Sequence, residues 1–229
     1  MPAVLYSSGN DESLSFGLGT YNVNTALKSG YMHRWTIDST GFTTPSTRRI
    51  HVEVGPNITT IFKSTGPLDF VHGTPNITGP TEEKMKFSFE DIFGISEATM
   101  RSLATHYLVD PQPNPDNVSG ITWVDVSHGS MKISSNVWGG SGILIVNGDL
   151  DISGGTFSGV IWVNGRLDIG SGNPQINGSI FEYDVSNTST KITGSGTFTF
   201  DPLAIDNAFS YLLGYDSAFH NIISWQEVD

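Results

Sequence analysis

The feature that most constrains this chain is an internal repeat. Residues 142–152 (GILIVNGDLDI) recur as 159–169 (GVIWVNGRLDI), with 7 of the 11 positions identical. Shorter copies of the opening begin at Gly120 (GITWV) and at Gly178 (GSIFE). Glycine-led short strands returning about every 20 residues are the mark of a solenoid rather than a closed sandwich. Aligned on the leading glycines, Thr122, Leu144, Ile161 and Ile180 share one position. Trp123, Ile145, Trp162 and Phe181 share the next, and Val124, Val146, Val163 and Glu182 the one after. In a coil each set becomes a ladder of stacked side chains.

The runs are apolar at odd and even positions alike, so both faces of each strand need covering. One face turns into the solenoid, and the other is assigned to a covering helix. Asp149-Leu150-Asp151-Ile152 and Arg166-Leu167-Asp168-Ile169 alternate instead, which puts Leu and Ile inward and the charges in water. Phe157 and Ile176, each two residues before a glycine, close a third side, and Ile77 and Ile192 read as weaker copies of them. Asn147-Gly148 and Gly154-Gly155 supply corners, where positive φ is tolerated. The open ends of a solenoid need caps. The N-terminal hairpin region and the 202–213 helix are the natural candidates.

Residues 1–63 read as strands and turns, with a hairpin over 31–54. A helical stretch covers 88–107. Phe89, Ile92 and Phe93 form a face ended by Gly94, Ser96 is the next N-cap, and Met100, Leu103, Ala104 and Tyr107 follow at helical spacing. A second helix, 202–213, has Asp201 as N-cap and Pro202 in first position. Leu203, Phe209, Leu212 and Leu213 form its apolar side and Gly214 its stop. Residues 222–225 make a last strand. The expected fold is therefore mainly β: a short right-handed β-helix over about 120–200, an N-terminal hairpin region and two short helical segments. The expected division is 1–63, an N-terminal β region, and 64–229, a solenoid domain carrying the helices and the C-terminal strand.

Charge narrows the partners. A net charge of −12 over 229 residues, with no basic cluster, repels a phosphate backbone and excludes nucleic acid. The absence of cysteine removes disulfides, thiolate metal sites and thiol catalysis.

Several pieces, in order, resemble the soluble part of PilX-type pilus-assembly accessory proteins, minor pilin-like proteins of bacterial type IV pili. They are 31–54 (YMHRWTIDSTG…RRIHVEV), 87–104 (FSFEDIFGISEATMRSLA), the GILIVNGDL coils and 223–228 (ISWQEV). The resemblance implies a pilus or pseudopilus role at the cell envelope or outside the cell, with pilus subunits as partners and no catalysis. The family's hydrophobic N-terminal helix and leader are not in the sequence, which is read as a truncated soluble part. Membrane contact would run only through that missing helix.

No catalytic, cofactor or metal residues are assigned. His33, His51, His72, His106, His128 and His220 lack zinc spacing, and no Gly-x-Ser-x-Gly elbow occurs. The alternative reading is a carbohydrate-active or carbohydrate-binding β-helix, a lyase or tailspike-like hydrolase, with surface polysaccharide as partner. It would use the outward Asp149, Asp151 and Asp168, with Arg166 as the only base on those rungs. Trp123, Trp162 and Phe181 would either stack sugar rings or lie under the covering helix, and their apolar flanks favour burial. A third reading is a bactofilin-like filament built by stacking solenoid ends.

Overall fold

The computed structural model describes residues 12–16, 19–29, 35–43, 46–56, 58–110, 117–134, 139–186, 188–212 and 221–228. The chain divides into two units, 1–57 with 213–229, and 58–212. This differs from the expected division at 63/64: the C-terminal strand belongs to the N-terminal unit. Asn221–Val228 pairs antiparallel with Ser46–Gly55, setting Trp225 opposite Val52. The first unit is thus an antiparallel sheet of five strands, in the order Glu12–Phe16, Gly19–Leu27, Trp35–Thr43, Ser46–Gly55, Asn221–Val228. The hairpin expected over 31–54 is its centre, with Trp35 opposite Val54 and Ile37 opposite Val52.

The second unit is a β-solenoid of parallel rungs, with about seven strands along its first wall. The repeat registers as aligned. Ile143–Val146 lies beside 160–163, and Trp162 sits between Ile145 and Phe181. A second wall stacks Ile133, Ile152, Ile169 and Ile192 in register. A third stacks Phe157, Ile176, Phe198 and Ile77. Ile77 therefore holds its expected place, whereas Ile192 belongs to the second wall. The inward residues fuse into one core that includes Val124, Val146, Val163, Leu150, Leu167, Ile169 and Phe198.

The solenoid is longer than 120–200. Strand Phe62–Ser64 pairs parallel with 180–182, and Thr81–Glu82 pairs with Phe62–Ser64 in turn. Leu68–His72 and Asn76–Thr78 extend the other two walls. At the opposite end His106–Val109 lies beside 122–125. The coil that comes first in the chain, 58–82, is thus the last in space, docked on the coil that ends the repeat.

Between 82 and 106 the chain runs as two short helices. Helix α1 (Phe89–Phe93) starts on a capping box: the Asp91 amide donates to the Ser88 hydroxyl at 3.2 Å and the Ser88 amide to the Asp91 carboxylate at 2.8 Å. Gly94, at φ +66°, stops it. Helix α2 (Glu97–Ser102) is capped by Ser96. The expected continuation to 107 fails. Met100 is buried in α2, but Tyr107 lies in strand His106–Val109 and is exposed, because pairing with the rung at 122–125 offers that segment a full backbone ladder. Helix α3 (Pro202–Phe209) has Asp201 as its cap and Pro202 in its first turn. Its buried side is Ala204, Ile205, Ala208 and Phe209, while Leu203 is exposed. Residues Leu213 and Gly214 lie outside the described residues. Helix α3 is not an end cap: it lies along the flank, against strands Gly139–Ile152, Thr156–Val163 and Gln175–Glu182.

Candidate functional site

The outward carboxylates of the second wall are held by neighbours rather than free. The Arg166 amide donates to Asp149 at 2.9 Å, and its guanidinium lies 3.2 Å from the Asp168 carboxylate. Asp151 accepts from the Ser130 hydroxyl at 2.6 Å and stands opposite Asp168 in register. The structure brings Asp149, Asp168 and Arg166 into one ion-paired row along adjacent coils. That is how a charged solenoid wall screens itself, and Lys132 and Lys191, beside Asp151 and Asp168 in register, continue the alternation of charge. Among the described residues, no three His, Asp or Glu side chains form a group able to hold a metal ion. His51 bonds Asp38 at 2.6 Å, His128 is 4.0 Å from Asp110, and His33 and His220 lie outside the described residues.

The aromatic ladder is covered. Trp162 and Phe181 are each 1 % exposed and Trp123 is 4 % exposed, so none offers a stacking face to a sugar. Trp162 sits in a cage of rings. Phe89 meets it edge-on at 5.0 Å, Phe87 at 5.8 Å, and Tyr183 stacks at 5.9 Å. Phe93 links the cage to α3 through Phe209 at 6.0 Å. The helix cover expected for this face is thus formed by the segment carrying α1 together with α3.

Two polar arrangements were not visible in the sequence. The first is built on Asp125 at the end of a first-wall strand. Its carboxylate accepts from the Arg101 guanidinium at 2.7 Å, the Trp123 indole at 2.8 Å and the Asn147 amide at 3.1 Å, and also from the Tyr107 hydroxyl. Asn164 donates in turn to Asn147 at 3.1 Å, so the corner asparagines of successive coils form a short ladder. Burial works against the charge on Asp125. The bonds from Tyr107, Trp123 and Asn147 and the charge of Arg101 outweigh it, and the carboxyl is held below its ordinary value. A depressed folded-state value means stability that is present above the unfolded pKa and lost as pH falls. Asp125→Asn is expected to cost roughly 1–3 kcal/mol at pH 7 and to flatten the acid limb of stability. Urea denaturation at pH 7 and pH 3.5 checks this, and an unchanged acid limb would remove Asp125 from the account.

The second arrangement is a surface cleft of about 390 Å³, lined by Lys84, Met85, Lys86 and Phe87 on one side and by Thr65, Tyr183, Asp184 and Val185 on the other. Tyr183, Asp184 and Val185 stand some hundred residues along the chain from the rest of the lining, so no local pattern marks the cleft. Next to it, in the solenoid interior, stands Glu182. It occupies the position held by Val124, Val146 and Val163 in earlier coils and is 1 % exposed. The sequence signal for it was the acid interrupting the valine ladder.

No protein-family model matches the chain, and no curated protein does. Among solved structures, the competence-associated pilin ComZ from Thermus thermophilus is similar at a TM-score of 0.35 and 8 % identity, over 96 % of this chain and 86 % of that one.

Proposed function

We propose that this chain is a non-enzymatic structural component of a bacterial type IV pilus or pseudopilus system, exposed at the cell envelope or outside it. It acts in assembly or adhesion by presenting a rigid acidic solenoid. The observation that carries the reading is the pairing of Asn221–Val228 with Ser46–Gly55. The pieces at 31–54 and 223–228 that resemble PilX-type proteins come together as neighbouring strands of one sheet, and the sequence between them supplies an inserted solenoid. A sheet whose own strands bracket the insertion in the chain suits a scaffold that displays a module.

The partners are pilus or pseudopilus subunits. The carbohydrate reading rests on fold analogy and on the outward Asp149, Asp151 and Asp168, with sugar stacking on the aromatic ladder as an addition. The structure supports it less, because those carboxylates are ion-paired or hydrogen-bonded and the rings are buried. In the source bacterium, an epitope-tagged full-length protein is expected in the sheared pilus fraction and missing from it in a strain that makes no pili. Retention in the cell body, with pilus number and function unchanged by deletion of the gene, would overturn the proposal.

A further inference from the structure

Among the described residues, the joint between the coil at 58–82 and the coil ending at 182 is the one place where the solenoid is closed by lengths of chain far apart in sequence. It is held by ladder bonds, the Ile180 amide to the Ile61 carbonyl at 2.7 Å and the Thr65 amide to the Glu182 carbonyl at 3.1 Å. Side chains add to it. The Ser179 hydroxyl donates to the Thr60 carbonyl at 2.6 Å, and the Thr65 hydroxyl donates to the Asp184 carbonyl at 2.9 Å. On the second wall the Thr190 amide donates to the Pro67 carbonyl at 3.0 Å.

Glu182 lies at the centre of this joint, between Val163 and Ser64 in register. Both of its carboxylate oxygens are buried and have no hydrogen-bond partner, and the Thr190 hydroxyl is in the same condition. The Ser64 hydroxyl is directed instead to the Gly66 carbonyl at 2.6 Å. Among the described residues, no cation pairs with the acid. Lys63, the base on the docked strand, pairs with Glu82 at 3.0 Å and lies over the Phe87 ring, on the helix-covered face. Lys191, beside Thr190, is exposed. The charge that acts on it is that of Asp184, which is itself bound to the amides of Ser186 and Thr188.

We propose that Glu182 makes this joint a proton-controlled seam: the coil at 58–82 is docked while the carboxyl is neutral and loosens when it ionises. A carboxylate without a hydrogen-bonded partner in this bore loses its hydration with little compensation, whereas the neutral acid loses far less. Undocking lets water reach the charge at the cost of one rung interface. Burial first, and then the charge of Asp184, push the Glu182 carboxyl up to about 7; the Gly66 and Thr65 amides and the Thr190 hydroxyl lie close enough to offset this in part, but none meets the carboxylate at hydrogen-bonding geometry. The docked state therefore holds the proton more tightly than the open one. Opening becomes more favourable as pH rises from the ordinary glutamate range to about 7, and levels off above.

Hydrogen exchange of the full chain, read by mass spectrometry and corrected for intrinsic pH dependence, tests this. The opening equilibrium of the 60–72 amides is expected to rise about tenfold from pH 6 to pH 8.5, while the amides of 143–163 stay unchanged. Glu182→Gln is expected to remove the pH dependence. Glu182→Val, which repeats the residue of the preceding coils, does the same should the amide fail to fold. A wild-type joint with pH-independent exchange, or a variant that keeps the dependence, overturns the seam. Protection restored at pH 8.5 by millimolar calcium overturns it as well, because the carboxylate would then be serving a cation.

Discussion

Gly159→Ala is expected to remove most of the cooperative stability of the solenoid. Gly159 adopts φ +140°, and a Cβ built there would lie 2.1 Å from the Gly142 carbonyl oxygen of the coil beneath. The same contact recurs at Gly142, 2.2 Å from the Gly120 oxygen, and at Gly178, 1.8 Å from the Gly159 oxygen. The obstacle in each case is backbone, which cannot swing aside as a flexible side chain can. Neighbouring strands in a sheet sit about 4.8 Å apart, so a methyl group at this point must push whole rungs apart and break the ladder on both sides. A loss of about 4 kcal/mol or more is expected, against the total of about 5–15 kcal/mol typical of a domain. Gly129→Ala is the control. Gly129 also has positive φ, +72°, but nothing lies within 4 Å of the added Cβ. Its cost is expected near 1–2 kcal/mol, from backbone conformation alone. Thermal melts followed by circular dichroism separate the two, and equal losses would show that φ rather than rung contact selects glycine at 159.

Trp162→Ala carries the second large effect. Its side chain joins the first wall to both covering segments, through Phe87, Phe89 and Phe93 on one side and, by way of Phe93, Phe209 of α3 on the other. Truncation empties a site with no flexible neighbour to refill it, which costs about 3–5 kcal/mol. The loss should be read first in the cover: exchange at 88–102 and 202–212 should rise before that at 143–152. Trp162→Phe is expected to stay within about 1.5 kcal/mol of wild type. The indole N–H has no partner and a phenyl ring already occupies the equivalent position at Phe181, so the ring rather than its polar handle is what the site requires. A phenylalanine variant as unstable as the alanine one would contradict that account.

What was legible in the sequence follows from periodicity. The glycine-led repeat set the register of Gly142, Gly159 and Gly178, and with it the ladders, because a parallel coil places equal positions on top of one another. The inward course of Leu150 and Ile152 and the outward course of Asp149 and Asp151 followed from alternation of the strand. Helix starts at Ser96 and Asp201 were readable because a cap is a contact between residues two or three apart, whereas the capping box at Ser88 was not read.

The rest depended on contacts that no local pattern encodes. The coil at 58–82 carries only the weak copy at Ile77 and no glycine-led strand, and its docking on 180–200 gives its short strands a ladder to join. Tyr107 had helical spacing, but pairing with the neighbouring rung decided its conformation. The C-terminal strand found its partner in the N-terminal sheet because backbone pairing is indifferent to distance along the chain. Asp125 and Glu182 differ for the same reason. Both are acids near the ends of first-wall strands, but one is bonded by Arg101, Tyr107, Trp123 and Asn147 while the carboxylate of the other has no hydrogen-bond partner and faces the charge of Asp184. Sequence alone determined which residues stack. Tertiary structure decided which stretch of chain closes each coil, since that depends on surfaces that exist only once the coils have formed.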